Sequence, residues 1–179
     1  MFRKIQSVDD VVLYKISKLH TPVLNRIMIA ISTSGNLGLV WFAICLPFLI
    51  NPAWMATGAN IIVGLGLASL MGELLIKHIV KRIRPCHTLN DEEQLISKPK
   101  YYSFPSGHTT SSFSVVGVTL LRCDWPVICG VLLLALAMGF SRIYLRVHYL
   151  SDVVAGAVLG FLCGFASVSI FESFISMFI

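Results

Sequence analysis

The sequence predicts an all-α membrane protein, a single domain of residues 1–179 built as a bundle of six transmembrane helices. Three observations carry this. Of the 179 residues, 56% are hydrophobic and only 13% charged, with a mean hydropathy of +0.80; a soluble domain of this size has about a quarter of its residues charged. The apolar residues are gathered into blocks that, with their flanks, approach the roughly 20 residues needed to cross a bilayer. The charges stand mostly between those blocks.

The first stretch, "MFRKIQSVDDVVLYKISKLH" (1–20), is too charged for a secretory signal and has no apolar core. It reads as an amphipathic lead-in lying at the membrane surface. The first span starts near Pro22 ("PVLNRIMIAIS"); it is the weakest and carries Arg26. The second starts at Leu39 ("LVWFAICLPFLI"), where Pro47 is expected to kink the helix rather than end it. The third starts at Ile61 ("IIVGLGLASLMG"). The fourth starts at His108 and completes its length only by including the hydroxyl-rich residues before "FSVVGVTLL". The fifth starts at Trp125 and the sixth at Val153. Gly156, Gly160 and Gly164 form a small-xxx-small stripe on the last span, suited to close helix packing in lipid. That stripe can serve within the bundle or between copies, so no oligomeric state follows from it.

The net charge of +5 comes from basic residues flanking apolar spans, which points to anionic lipid rather than nucleic acid as the partner. The five cysteines lack CxxC spacing, so neither a disulfide framework nor a thiolate metal site is expected. Connections are short except the one between the third and fourth spans, and residues 77–108 form the candidate-site loop region. With six spans, this connection and the one between the last two spans face one side, and both termini face the other. The positive-inside rule then conflicts with itself. Eight of the fourteen Lys and Arg residues lie on the loop side, and five near the N-terminus plus Arg122 on the other. Discounting cations that bind an anion favours cytoplasmic termini; the count alone does not decide.

Three polar clusters stand out. In "KHIVKRIRP", Lys77 and Arg84 are two helical turns apart and share a face if the helix continues that far. Pro85 is then expected to end it. Taken alone, this cluster also fits a helix end snorkelling to lipid headgroups. In "PSGH", Pro105, Ser106 and Gly107 read as a helix start, whose unpaired N–H groups and dipole favour an anion. Ser106 caps the helix or donates to the anion, Gly107 allows close backbone approach, and His108 falls in the first turn. The following hydroxyls at 109–112 read as packing and backbone-bonding groups. In "SRIYLRVHYLSD", His148 and Asp152 are placed to touch, either on one helical face or with His148 just before a helix that holds Asp152 in its first turn. A carboxylate on one ring nitrogen raises the basicity of the other, which suits a nucleophile. Arg142 ends the preceding helix across a tight connection. Glu73, one turn before Lys77, reads as its ion-pair partner.

These clusters, in this order and spacing, resemble the three signature motifs of the type 2 phosphatidic acid phosphatase (PAP2) superfamily of membrane lipid phosphatases. The motifs are Lys77 with Arg84–Pro85, then Pro105–Ser106–Gly107–His108, then Ser141–Arg142 with His148 and Asp152. The resemblance implies a six-helix bundle with its site on the extracytoplasmic face of the cell membrane and its termini cytoplasmic. It implies a phosphatase acting on a membrane lipid phosphate through a phospho-histidine. His148 would be the nucleophile, Asp152 its orienting group and His108 the general acid. Lys77, Arg84, Ser106, Gly107 and Arg142 would hold the phosphate. No metal or other cofactor is implied, in keeping with a site rich in cations and poor in carboxylates, the reverse of a magnesium site. Soluble haloperoxidases share these motifs, but this chain is too short and apolar to resemble them as a whole. Phosphatidylglycerophosphate, phosphatidate and undecaprenyl diphosphate are the candidate substrates. A lipid phosphotransferase using the same histidine, and a non-enzymatic anion-binding membrane protein, are the alternatives.

Overall fold

The computed structural model of the chain describes residues 2–88 and 94–176. Among these residues there are seven helices and no strand. They are α1 (Phe2–Ser17), α2 (Pro22–Ser34), α3 (Leu39–Ile50), α4 (Met55–Ala68), α5 (Gly107–Arg122), α6 (Trp125–Tyr144) and α7 (Leu150–Ser176). Helix α4 runs on through a π-helical stretch, Ser69–Ile76, and a last α turn, Lys77–Val80. The acidic run Asp91, Glu92 and Glu93 of the long connection lies outside the described residues.

Helix α5 is the pole of the bundle, with Thr109, Thr110 and every residue from Ser112 to Thr119 buried. Its hydroxyls are absorbed locally, as expected: Thr110 donates to the Ser106 carbonyl at 2.9 Å and Ser112 to the His108 carbonyl at 2.6 Å. The glycine stripe is used inside the bundle, against α5. A Cβ on Gly156 would stand 2.8 Å from the Ser106 carbonyl oxygen, one on Gly160 2.8 Å from Phe113 Cβ, and one on Gly164 2.9 Å from Gly117 Cα. Only hydrogen at these positions lets α7 approach so closely, and Asp152 sits one turn above the stripe. Trp41, Cys45, Ile61, Leu65 and Val118 extend the core across α3, α4 and α5.

Six separate crossings are not what the structure shows. Among the described residues, Met55–Thr88, Trp125–Tyr144 and Leu150–Phe174 are each long and apolar enough to cross a membrane. Helices α2 and α3, expected to cross singly, are joined at a bend of 57°. A bend of this size marks the pair as one broken span or a re-entrant loop, so the two helices together count as at most one crossing. The break falls where Leu37 (φ 53°) and Gly38 (φ 73°) take left-handed backbone. The bend is therefore at "GNLG", while Pro47 lies inside α3.

The placement of α1 also departs from expectation. Asp9 bonds to Arg82 and to Ser151, and Leu13 packs with Ile143 and Tyr149. The first helix thus lies at the end of the bundle where α4 and α6 finish and α7 begins. The far end of α7 is about 40 Å away, from 27 residues at 1.5 Å each. The two terminal helices therefore end at opposite ends of the bundle, not on one side.

Candidate active site

Four chain segments meet at that end: the exit of α4, the start of α5, the last turn of α6 and the connection into α7. Lys77 lies in the final turn of the α4 rod, 2% exposed, and its Nζ donates to Glu73 Oε1 at 2.6 Å and Oε2 at 2.7 Å. The pairing with Glu73 is the one read from sequence. The shared helical face with Arg84 is not: the helix stops at Val80, where Lys81 turns left-handed (φ 51°). Pro85 starts a short 3-10 turn, Pro85–Thr88, instead of ending the helix. Arg84 reaches the site because the chain folds back after Lys81. Its Nε donates to the Tyr101 carbonyl at 2.5 Å and its Nη1 to the Val147 carbonyl at 3.0 Å.

The same Nη1 lies 2.9 Å from Nε2 of His148. A guanidinium has only donors. Nε2 must therefore carry its lone pair here, which leaves the imidazole proton on Nδ1. Nδ1 faces Asp152 Oδ2 at 3.6 Å, ion-pair range but beyond a hydrogen bond, and has no hydrogen-bond partner among the described residues. The ring is thus held in the tautomer that leaves the Nε2 lone pair facing Arg84. Burial holds the His148 pKa well below the ordinary 6.5; Arg84 and Arg142 push the same way, and Asp152 opposes them.

Of the two arrangements open for this pair, the structure has the second: His148 precedes α7, and Asp152 lies in its first turn. Asp152 is fully buried. Its Oδ2 reaches back to accept from the Tyr149 N–H at 2.9 Å, the reciprocal half of a capping box. The same oxygen accepts from Ser103 Oγ, and Oδ1 accepts from Arg82 Nη1 at 2.6 Å. Arg142 ends α6 as expected, and its carbonyl accepts from the N–H groups of both Val147 and His148 at 3.2 Å. Its Nη1 donates to Ser32 Oγ, while its buried Nε has no hydrogen-bond partner among the described residues. A buried guanidinium N–H without an acceptor is what an anion site presents.

Ser106 is the N-cap of α5, yet its side chain makes no capping bond. It is fully buried behind the site, accepting from Thr109 Oγ1 at 2.9 Å, with its backbone N–H on the Asp152 carbonyl at 3.1 Å. Gly107 follows, and a Cβ there would collide with the Glu73 carboxylate. His108 Nε2 lies 3.2 Å from the Ser32 carbonyl and 3.1 Å from Asn36 Oδ1. A carbonyl only accepts, so this nitrogen carries a proton.

Lys77, Arg84, Gly107, His108, Arg142 and His148 line one cavity of about 960 Å³. Ser106 and Asp152 stand outside its wall. From the charged end the cavity runs down between α3 and α4 past Phe42, Ile62 and Leu65. One arm is therefore cationic and the other apolar. The apolar arm, Ser32, Asn36 and Ser103 were not legible as parts of the site. Ser32 of α2 and Asn36 of the turn after it lie 76 and 72 positions from His108, and no local pattern marks them.

A family model of the PAP2 superfamily matches residues 54–175. An undecaprenyl-diphosphatase of Sulfolobus acidocaldarius is 32% identical over 148 residues, which is 82% of this chain and 70% of that protein. A decaprenylphosphoryl-5-phosphoribose phosphatase of Mycobacterium tuberculosis is 35% identical over 107 residues, 60% of this chain, and the match spans 55% of its length. The fold is similar to the crystal structure of a transmembrane PAP2 type phosphatidylglycerolphosphate phosphatase from Bacillus subtilis. The TM-score is 0.76 at 25% identity, covering 95% of this chain and 87% of that one.

Proposed function

We propose that this chain, which belongs to the PAP2 superfamily, is an integral-membrane phosphatase that removes a terminal phosphate from a membrane lipid through a phospho-histidine, without a metal. One observation carries the reading: His148 presents the lone pair of Nε2 at the wall of a cavity lined by Lys77, Arg84 and Arg142. The apolar arm between α3 and α4 supports a lipid as the substrate, since it offers room for a chain beside the phosphate. The polyprenyl substrates named for the relatives, and phosphatidylglycerophosphate and phosphatidate, are the candidates.

In this reading Nε2 of His148 attacks phosphorus, and the bond to the lipid oxygen, or to the bridging oxygen of a diphosphate, breaks. His108 gives that oxygen a proton. Water then attacks the phospho-histidine with His108 taking its proton, releasing inorganic phosphate and restoring His148. The cations and the Gly107 N–H stabilise charge that builds on the phosphoryl oxygens, with the Ser106 hydroxyl in support. Asp152 stabilises the positive ring formed on attack. Following the resemblance, the site end faces outward from the cell membrane. Helix α1 then lies in the outer interface with Val8, Val11 and Tyr14 exposed toward lipid.

The test is phosphate release by the detergent-purified protein with EDTA present, from a panel of these lipids, beside His148→Ala. Release from one lipid, abolished in the variant, is the expected result. No release from any lipid by folded protein refutes the reading, and phosphate passed to a supplied alcohol in preference to water makes the protein a transferase.

A further inference from the structure

We propose that α1 belongs to the catalytic apparatus, positioning Asp152 through Asp9 and Arg82; the proposal rests on the phosphatase reading above. Asp9 is 1% exposed, although it lies in a helix whose composition suggests a membrane-surface element. Its Oδ2 accepts from Arg82 Nη2 at 2.7 Å and from Ser151 Oγ at 2.5 Å, and its Oδ1 from the Ser151 N–H at 2.9 Å. Arg82 in turn donates Nη1 to Asp152 Oδ1 at 2.6 Å and to Ser151 Oγ at 2.7 Å. Gln6 of α1 accepts from Nη2 at 2.8 Å, and the guanidinium lies over the Tyr149 ring, 3.9 Å from its centroid. Neither Asp9 nor Arg82 lines the cavity. They act on the reaction only through Asp152.

The chemistry gives each residue a distinct part. One guanidinium is shared between two buried carboxylates, so Asp9 draws on charge that Arg82 would otherwise give wholly to Asp152. Asp152 keeps enough of its negative field for the His148 ring on its other oxygen. Without Asp9, Arg82 neutralises Asp152 more fully and the ring loses basicity. Without Arg82, the two carboxylates stand together uncompensated and the ring gains basicity. The other charged groups facing this network are Arg84 and Arg142 on the His148 side and Asp10 beside Tyr149. They are unchanged by either substitution.

The experiment compares Asp9→Asn, Arg82→Gln and Arg82→Lys with wild type in the full chain, on the lipid that wild type hydrolyses. It reads kcat and KM separately, the pH profile of kcat/KM, and the thermal midpoint. The Asp9→Asn change keeps the side chain's shape and one acceptor, an amide oxygen for the Ser151 N–H. Its NH2 takes the place of the oxygen that accepts from Ser151 Oγ and Arg82, and the thermal midpoint reads whether the helix stays docked. A fall of about tenfold in kcat is expected, the lower end of what outer partners of a working histidine carry, with KM within twofold. The acid limb of the profile moves to lower pH in Asp9→Asn and to higher pH in Arg82→Gln, and Arg82→Lys recovers part of the rate. Shifts of opposite sign are what a merely structural tether does not produce. A wild-type rate and profile in Asp9→Asn overturns the proposal, as does a rate loss that follows the thermal midpoint with no movement of the limb. An inactive wild type refutes the phosphatase reading itself and takes this proposal with it.

Discussion

Replacing Asp152 with Asn separates charge from shape at the centre of the site. Two donors, the Tyr149 N–H and Ser103 Oγ, converge on Oδ2. The carbonyl of the new amide is therefore held there, and its NH2 group turns toward Arg82, which retains Asp9. The tautomer of His148 survives this arrangement, because Nδ1–H still faces an oxygen and Arg84 still faces Nε2. What is lost is the full negative charge 3.6 Å from Nδ1. Opposite unit charges at that distance attract by about 4–5 kcal/mol at an effective dielectric constant near 20. The neutral ring gains little from this attraction; in the proposed reaction, the positive ring formed when Nε2 bonds to phosphorus gains all of it. The loss therefore falls on kcat, by about a thousandfold at 1.36 kcal/mol per factor of ten, with KM little changed. The assay is steady-state phosphate release with EDTA present, with a thermal melt to show that the variant is folded. A folded Asp152→Asn protein that keeps more than a tenth of the wild-type kcat, or that loses only substrate affinity, refutes the reasoning.

Three further outcomes follow from the same structure. His148 has a folded pKa below its unfolded value near 6.5, so below that pH the unfolded chain takes up a proton that the folded one refuses. Stability is full above pH 6.5 and falls as pH drops beneath it, by up to about 1.4 kcal/mol per unit from this group; thermal midpoints of wild type and His148→Gln across pH 4.5–8 (roughly the titration window of histidine) should diverge only on the acid side. In the bundle, Gly160→Ala places a methyl 3.0 Å from the Ser114 backbone nitrogen, which forces α5 and α7 apart and costs about 1–3 kcal/mol. Gly66→Ala meets nothing within 4 Å and should leave the midpoint unchanged. Finally, cysteines replacing Lys100 and Glu172 on a cysteine-free background should react with an impermeant thiol reagent from opposite sides of sealed cells, Lys100→Cys from outside. All fourteen Lys and Arg residues but Arg122 stand in segments at the site end, and by the positive-inside rule that end would be cytoplasmic. Labelling of Lys100→Cys only after permeabilisation would overturn the outward assignment carried over from the resemblance.

The site's geometry was legible wherever a residue's covalent neighbours define its place. Gly107 and His108 open a helix because Pro105 and Ser106 precede them. His148 and Asp152 meet because one short connection and one first turn separate them. Glu73 finds Lys77 because a helix brings residues four apart together. Arg84 came out in the right place for the wrong reason: the sequence pattern suggested one helix through both cations, and the chain instead turns at Lys81, a residue with no glycine-like signature to announce a left-handed backbone. The "SGNLG" stretch failed in a similar way. Its turn residues mark a break, but the same residues serve a reversal or a 57° bend, and only packing against α4 and α6 chooses between them.

Asp9 shows the limit most sharply. In an amphipathic segment of mixed charge, periodicity places a carboxylate on the wet face, and its neighbour Asp10 is indeed exposed. Asp9 is buried because Arg82, 73 residues away, and the start of α7 supply every bond that water would have supplied. A buried carboxylate without such partners would not remain charged, so the long-range contacts are the condition for the local fact. The motifs name the groups that the proposed reaction uses. The pairs that fix their charge are written in distant segments, and so they become visible only once the chain is folded.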